Sequence, residues 1–394
     1  MNEAEVWQYD RREWADPVTG RTWIQLTAGD EWCYPIYYFE PAFTADGGTI
    51  LFYRYRDGEV QNWKFDVATG QATRLTGAAT PNCLWRFWDE PEAATGVRNL
   101  MSAFSPVSEE MSYFDGNELR AVNVRSLEDR LVYELPGDRV PCGIPGMSPS
   151  GRNFVFTHAD RAWWDRATQP GPPPRHEAKG VHLDVVDMQS GECRPLVVMN
   201  AWLTHANFYD EERILFANLP TEGSVLLTDL SGGWYTSLRT QTAEGIQVNH
   251  YVATRRGILY ETVSPLPNGI MGHIDPETFV SRDFLTDYPV HHVGHDWEGR
   301  LWFADIYEQD PPHARHLVWL RRAEQGTVNP FTMLTYGFQM HGRPKAQRSH
   351  IHPMLMPDRK HILFTGPDDR SKTNHLFFLD VPDLAETETE VVGG

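Results

Sequence analysis

Short apolar runs, each closed by a turn rich in Gly, Asp or Ser, recur along this chain in a fixed order. The clearest copy reads Pro41 to Gly47, an apolar strand Thr49-Ile50-Leu51-Phe52-Tyr53, an Asp57-Gly58 turn, a strand Asn62 to Asp66, a Thr69-Gly70 turn and a last strand Ala72 to Thr76. Four short strands joined by three tight turns predict one blade of a β-propeller. The pattern returns, degraded, from Met101 to Tyr133, and again from Gly146 through Phe154, where the Pro-rich Gln169 to Pro174 interrupts it before Val181 to Asp187. Further copies surround His205 and Ile214, His250 and Gly257, and His292 and Gly299, and a last one runs from Gln347 to Asp380.

That last copy lacks an outer strand, and Thr22 to Thr27 has the character of Ala72 to Thr76 and can supply it. The expectation is an all-β chain, residues 1–394 forming a single seven-bladed β-propeller closed by an N-terminal strand, so that no sheet edge is left exposed. Two packed β-sandwiches are the alternative.

Composition narrows the functional classes. Aromatic content of 12% with 28 Pro and 31 Gly favours short strands and turns over helices. A formal charge of −19 speaks against nucleic acid, which needs a basic face. The opening Met1 to Glu5 is acidic, without the charged and apolar regions of a signal peptide, and no apolar run is long enough to span a bilayer. The four cysteines, Cys33, Cys83, Cys142 and Cys193, are scattered and read as reduced thiols. A cytoplasmic protein without membrane contact is expected; the sequence says nothing of its oligomeric state.

Candidate chemistry concentrates in Gln347-Arg-Ser-His350-Ile-His352-Pro353. On a strand, His350 and His352 project to one face, and Gln347 reaches in from the preceding loop. Two imidazoles and an amide oxygen are metal-ligand chemistry. His250 precedes Gly257 by seven residues, His292 precedes Gly299 by seven and His352 precedes Arg359 by seven; His205 precedes Glu212 by the same number. In a propeller the first strand of each blade lines the channel, so these positions converge. Alternation sends His291 to the opposite face, and His295 lies nearer the turn.

Other residues carry weaker signals. Trp85 and Trp88, or Trp163 and Trp164, have the surfaces to stack on sugar rings, although blade packing is the commoner role. His341, Arg343 and Lys345 precede Gln347, in a loop placed to meet a carboxylate. Asp305 reads as a hydrogen-bonding residue, and Arg255 and Arg256 as surface charges. No Gly-x-Ser-x-Gly elbow, phosphate loop or dinucleotide fingerprint is present.

The run Gln347-x-x-His350-x-His352-Pro353, followed by Pro357-Asp358 and Ile362-Leu363-Phe364-Thr365, resembles the metal-binding segment of the oligogalacturonate lyases, cytoplasmic seven-bladed propellers that split pectic oligomers by β-elimination. The likeness extends to Asp16 to Gly20, Phe39 to Gly47, Asn117-Glu118-Leu119 and Val132-Tyr133. The resemblance implies that His292, Gln347, His350 and His352 are metal ligands, that the divalent ion is manganese, and that His250 removes the proton. Departures are expected at the substrate wall: where the family carries His and Arg after the position of Cys33, this chain has Tyr34-Pro35, and the family's arginine in the fourth blade falls near Ser224-Val225.

The expected activity is therefore metal-dependent β-elimination on a uronate-containing, pectin-related oligosaccharide, giving a 4,5-unsaturated product. His250 is the expected base, and His205, His341 and Arg343 the expected contacts to the acidic oligosaccharide. A non-catalytic sugar- or protein-binding propeller that keeps the metal, and a metal-assisted glycoside hydrolase, are the rivals.

Overall fold

Asp57 and Gly58 show how the sequence sets the strands. Both adopt positive φ, +52° and +79°, and the flanking Arg56 and Glu59 pair directly, which is the two-residue turn whose twist matches that of a hairpin. On either side, Thr49–Arg56 and Glu59–Asp66 are rich in β-branched and aromatic residues, and the middles of both strands are buried.

The computed structural model describes residues 5–81, 83–84, 94–167, 178–219, 224–239, 247–263, 269–275, 277–286, 290–296, 302–307, 315–322, 328–335, 338–343 and 346–381. Trp85, Trp88, Lys345, Gly299 and the Pro-rich Gln169 to Pro174 lie outside them. Among the described residues the strands fall into seven sheets, five of which are plain four-stranded meanders whose spatial order follows the chain. This is the architecture of an all-β propeller. The strand pattern did not foretell the helix Arg161–Ala167, which follows the second strand of its sheet.

The chain divides into two compact units. The unit containing Glu40–Asp66 and Ala72–Thr240 holds the sheets led by Ala103–Ser105, Arg139–Met147 and Trp202–Phe208, together with the hairpin of Thr49–Arg56 and Glu59–Asp66. The other unit holds the sheets led by Gln247–Thr254 and Val290–His295 and a five-stranded sheet. In that sheet Thr22–Gln25 pairs with Thr373–Asp380, Trp23 opposite Leu379 and Gln25 opposite Phe377. Trp23, Phe364, Phe377 and Leu379 form a buried core with Phe303 and Ile351. Full burial of each such side chain contributes about 1.5–3 kcal/mol.

Four of the leading strands share a defect. Their ladders slip between Cys142 and Gly146, Thr204 and Asn207, Val248 and His250, and Val290 and His292. A bulge of this kind kinks the strand and re-aims the side chains beside it.

Candidate active site

Two of these bulges carry the histidines. His250 and His292 follow the slips in Gln247–Thr254 and Val290–His295, and both are buried. Simple alternation, which would send His291 to the opposite face, fails here because the bulge breaks the period of two. The His291 ring lies 4.0 Å from that of His292, 5.1 Å from His250 and 5.3 Å from His350. His291 therefore belongs to the cluster.

The segment of Gln347, His350 and His352 is not a strand, and the expectation of alternate residues on one pleated face is corrected. Gln347–Ser349 is a single 3-10 turn, His350 is extended, and His352 sits in the left-handed region at φ +46°. For a non-glycine residue that conformation costs about 1–2 kcal/mol. The flanks hold it: Ile351 is fully buried in the core, its carbonyl accepts from the Thr365 amide at 2.8 Å, and Tyr37 packs edge-on to the His352 ring at 4.9 Å. The turn and the left-handed residue together do what a strand was expected to do.

His292, His350 and His352 each place a ring nitrogen within 4.8 Å of the others, and all three are buried; His250, His291 and His292 form a second such group. Gln347 is also buried beside His350 and His352 in sequence. The fit of a metal ion is tested by His292, whose Nε2 is buried with no hydrogen-bond partner among the described residues while its Nδ1 faces both Asp305 oxygens at 3.2 Å. An orphaned nitrogen costs free energy unless something accepts its lone pair. A carboxylate behind the opposite nitrogen is the arrangement that orients a metal-ligating histidine. The donor set fits a divalent ion.

Two carboxylates complete the centre, Asp305 named from sequence and Glu261 missed from it. Glu261 faces His250 across the sheet, and Asp305 faces His292 at the same point of the next one. Glu261 Oε1 is 2.5 Å from His250 Nδ1, which also lies 2.9 Å from the His291 carbonyl. Asp305, read from sequence as a hydrogen-bonding residue, also accepts from the His292 amide at 2.6 Å. A carboxylate on the second strand, 11 or 13 residues after each histidine, is the signal that reveals the pair.

The electrostatics follow from burial. Burial, and then the imidazoles of His291, His352, His250 and His350, hold the His292 pKa well below the usual histidine range. Burial pushes the Glu261 carboxyl up, and the hydrogen bond and charge of His250 oppose the shift. Tyr38, another residue missed from sequence, packs on the rings of His250, His292 and His352 at 5.4–5.8 Å, and burial keeps its phenol protonated far above the usual tyrosine range.

The remaining candidates are distributed as follows. His341 Nε2 lies 3.2 Å from Asp369 Oδ1, and Arg343 is exposed. His205 is buried in the other unit, inside the bulge of Trp202–Phe208 at φ +54°. His295 turns to the carbonyl of Asp296 at 2.7 Å, and Arg255 and Arg256 are exposed at a turn.

Residues 3–310 match the family model of oligogalacturonate lyase. The chain is 24% identical to an oligogalacturonate lyase of Dickeya dadantii, with 97% of this chain and 99% of the relative covered. It is 23% identical to an oligogalacturonide lyase of Pectobacterium atrosepticum, covering 93% and 95% of the two chains. A solved oligogalacturonate lyase in complex with manganese superposes with a TM-score of 0.79 at 22% identity, over 97% of this chain and 99% of that one. An oligogalacturonate lyase from Vibrio parahaemolyticus gives 0.78 at 18% identity, over 96% and 99%.

Proposed function

Because the chain belongs to the oligogalacturonate lyase family, we propose that it cleaves a uronate-containing oligosaccharide by β-elimination, with His250 as base and His292, Gln347, His350 and His352 as the metal ligands. The observation that carries this reading is the paired construction: His292 backed by Asp305 with its Nε2 unsatisfied, and His250 backed by Glu261, the two rings 4.7 Å apart. His292, Gln347, His350 and His352 would hold a divalent ion, manganese by the example of the solved relative, which would neutralise the substrate carboxylate and so acidify the carbon beside it.

The residues supply the rest. With Glu261 and the His291 carbonyl on its Nδ1, His250 is held with Nδ1 as the protonated nitrogen and Nε2 as the basic one. Nε2 takes the proton α to the carboxylate, and the glycosidic oxygen at the β carbon departs as the double bond forms. Three neutral imidazoles and an amide oxygen leave the ion's full positive charge to the substrate. Tyr38 and Tyr37 wall the centre from water, which strengthens these interactions. His205, His341 and Arg343 are assigned to the substrate. Incubation with galacturonate oligomers should generate the ultraviolet absorbance of an unsaturated uronate in a metal-dependent way; hydrolysis products without that absorbance would overturn the assignment.

The same reading takes residues 1–394 as one seven-bladed propeller in the cytoplasm. It is supported by the seven sheets, by the pairing of Thr22–Gln25 with Thr373–Asp380 and by four cysteines that form no disulfide among the described residues. Deleting residues 1–28 should then lower the melting temperature; a truncated protein as stable as the whole would refute closure by this strand.

A further inference from the structure

We propose that the unit containing Ala72–Thr240 carries a second saccharide site, a cavity of about 780 Å³ that takes the carboxylate of an acidic sugar on Arg98 and Arg161 and the sugar ring on Trp164. Arg98 is 9% exposed. Its Nε donates to the Gly116 carbonyl at 2.8 Å, which fixes the guanidinium and leaves its two terminal nitrogens with no partner among the described residues. Arg98 lines the cavity, where an anion would form charge-assisted hydrogen bonds with those terminal nitrogens.

Arg161 stands on the same wall. Its Nε donates to the Gly137 carbonyl at 2.7 Å, and one terminal nitrogen donates to Asn117 Oδ1 and to the Arg139 carbonyl, both at 2.9 Å. The other terminal nitrogen has no partner among the described residues. Asn117 is a strut: its Nδ2 donates to the carbonyls of Leu135, Pro136 and Arg139 at 2.9–3.1 Å, so the loop and Arg161 are held together.

Among the described residues, no carboxylate forms an ion pair with either arginine. Asp115, whose charge acts on Arg98 without a direct contact, has Oδ1 taken by Thr80, at 2.5 Å from the hydroxyl and 3.2 Å from the amide. The two guanidiniums act on each other instead: burial first, then Arg161, pushes the Arg98 pKa down to about 10. In a chain of net charge −19, two mutually repelling cations on one cavity wall form a local anion site.

The other lining groups select a sugar over a bare anion. Trp164 is half-buried along the cavity, suited to the apolar face of a pyranose, and Glu134 and Asp165 stand at the exposed rim, where carboxylates accept sugar hydroxyls. The lining residues belong to a different unit from the histidine centre, and the proposal does not rest on the lyase reading.

The test is calorimetric titration of digalacturonate into full-length protein carrying His350→Ala/His352→Ala, in which the metal centre is removed and nothing is turned over. One equivalent should bind, maltose should not compete, and adding Arg161→Gln or Trp164→Ala should weaken binding at least about tenfold. Near-ultraviolet circular dichroism checks that each variant is folded. Undiminished binding in folded Arg161→Gln and Trp164→Ala, no binding in the double-histidine background, or maltose binding as tightly as digalacturonate would each overturn the proposal. None of these outcomes depends on whether the intact protein forms an unsaturated product.

Discussion

Among the described residues, each compact unit gathers imidazoles at metal-like spacing, and the two places differ in what their nitrogens are doing. In the cluster of His158, His182 and Asp184, Arg139 Nε donates to His158 Nδ1 at 2.9 Å and His158 Nε2 reaches Asp184 Oδ2 at 2.9 Å. Both ring nitrogens of His158 are spent, and a cation entering there would meet a guanidinium. In the cluster of His292, His350 and His352, no arginine is hydrogen-bonded to His292, and its Nε2 is buried without a partner among the described residues. Proximity is common to both, and Asp184 Oδ1 is also buried without a hydrogen-bond partner among the described residues, but the first cluster already holds the Arg139 guanidinium against its central histidine. An unspent nitrogen with no cation beside it, more than a short distance, marks a ligand site.

The comparison breaks most directly at the metal. His350→Ala/His352→Ala should abolish stoichiometric manganese binding by elemental analysis and lower turnover about a thousandfold or more, the several kcal/mol a Lewis acid supplies. Replacing His158 and His182 with glutamine should leave one bound ion per chain. A second equivalent in the wild type, lost with His158 and His182, would erase the distinction.

Within the histidine centre, the residue backed by Glu261 and the one backed by Asp305 should separate by readout. His250→Ala is expected to keep the metal while turnover falls about 10²- to 10⁴-fold, the contribution of a positioned base. Metal lost along with the activity would instead make His250 a ligand. Effects one layer out should be smaller. Asp305→Asn should weaken metal binding about 10- to 100-fold, whereas Glu261→Gln should leave metal affinity unchanged and lower kcat by a similar factor. If both variants lost metal equally, the division of labour between the two histidines would be wrong.

How much of this could be read in advance depends on what kind of residue carries it. The repeat of apolar runs and Asp-Gly turns made the propeller legible, because strand period and turn type are local properties. The spacing of His250, His292 and His352 from the turns that follow them picked out side chains whose rings the structure gathers. What escaped was non-local or irregular. The bulge between Val290 and His292 puts His291 into the cluster, and no period of two reveals a bulge. The left-handed His352 replaces strand alternation with a turn. Glu261 and Asp305 belong to the second strands, so they become visible only once register is known. Arg98 lies in a loop and Arg161 opens a helix, and their shared cavity has no signature along the chain.

The smallest expected effect sharpens the comparison through protons. Burial and neighbouring imidazoles hold His292 neutral well below the usual range, and burial, with His158, lowers His182 as well. In the unfolded chain both titrate near about 6.5. Above that pH each is neutral in both states and contributes no slope. As pH falls below it, the unfolded chain takes up protons that the folded one refuses, so stability falls with pH, by at most about 1.4 kcal/mol per pH unit for each imidazole. His182 has a side chain 31% exposed, and solvent screens its share. Urea unfolding of chelator-treated protein between about pH 7.5 and 5 should therefore show a slope that His292→Gln reduces clearly and His182→Gln reduces less. An unchanged slope in His292→Gln would mean that the native cluster accepts a proton at His292, and a donor set that protonates in place is not one kept neutral for a metal ion.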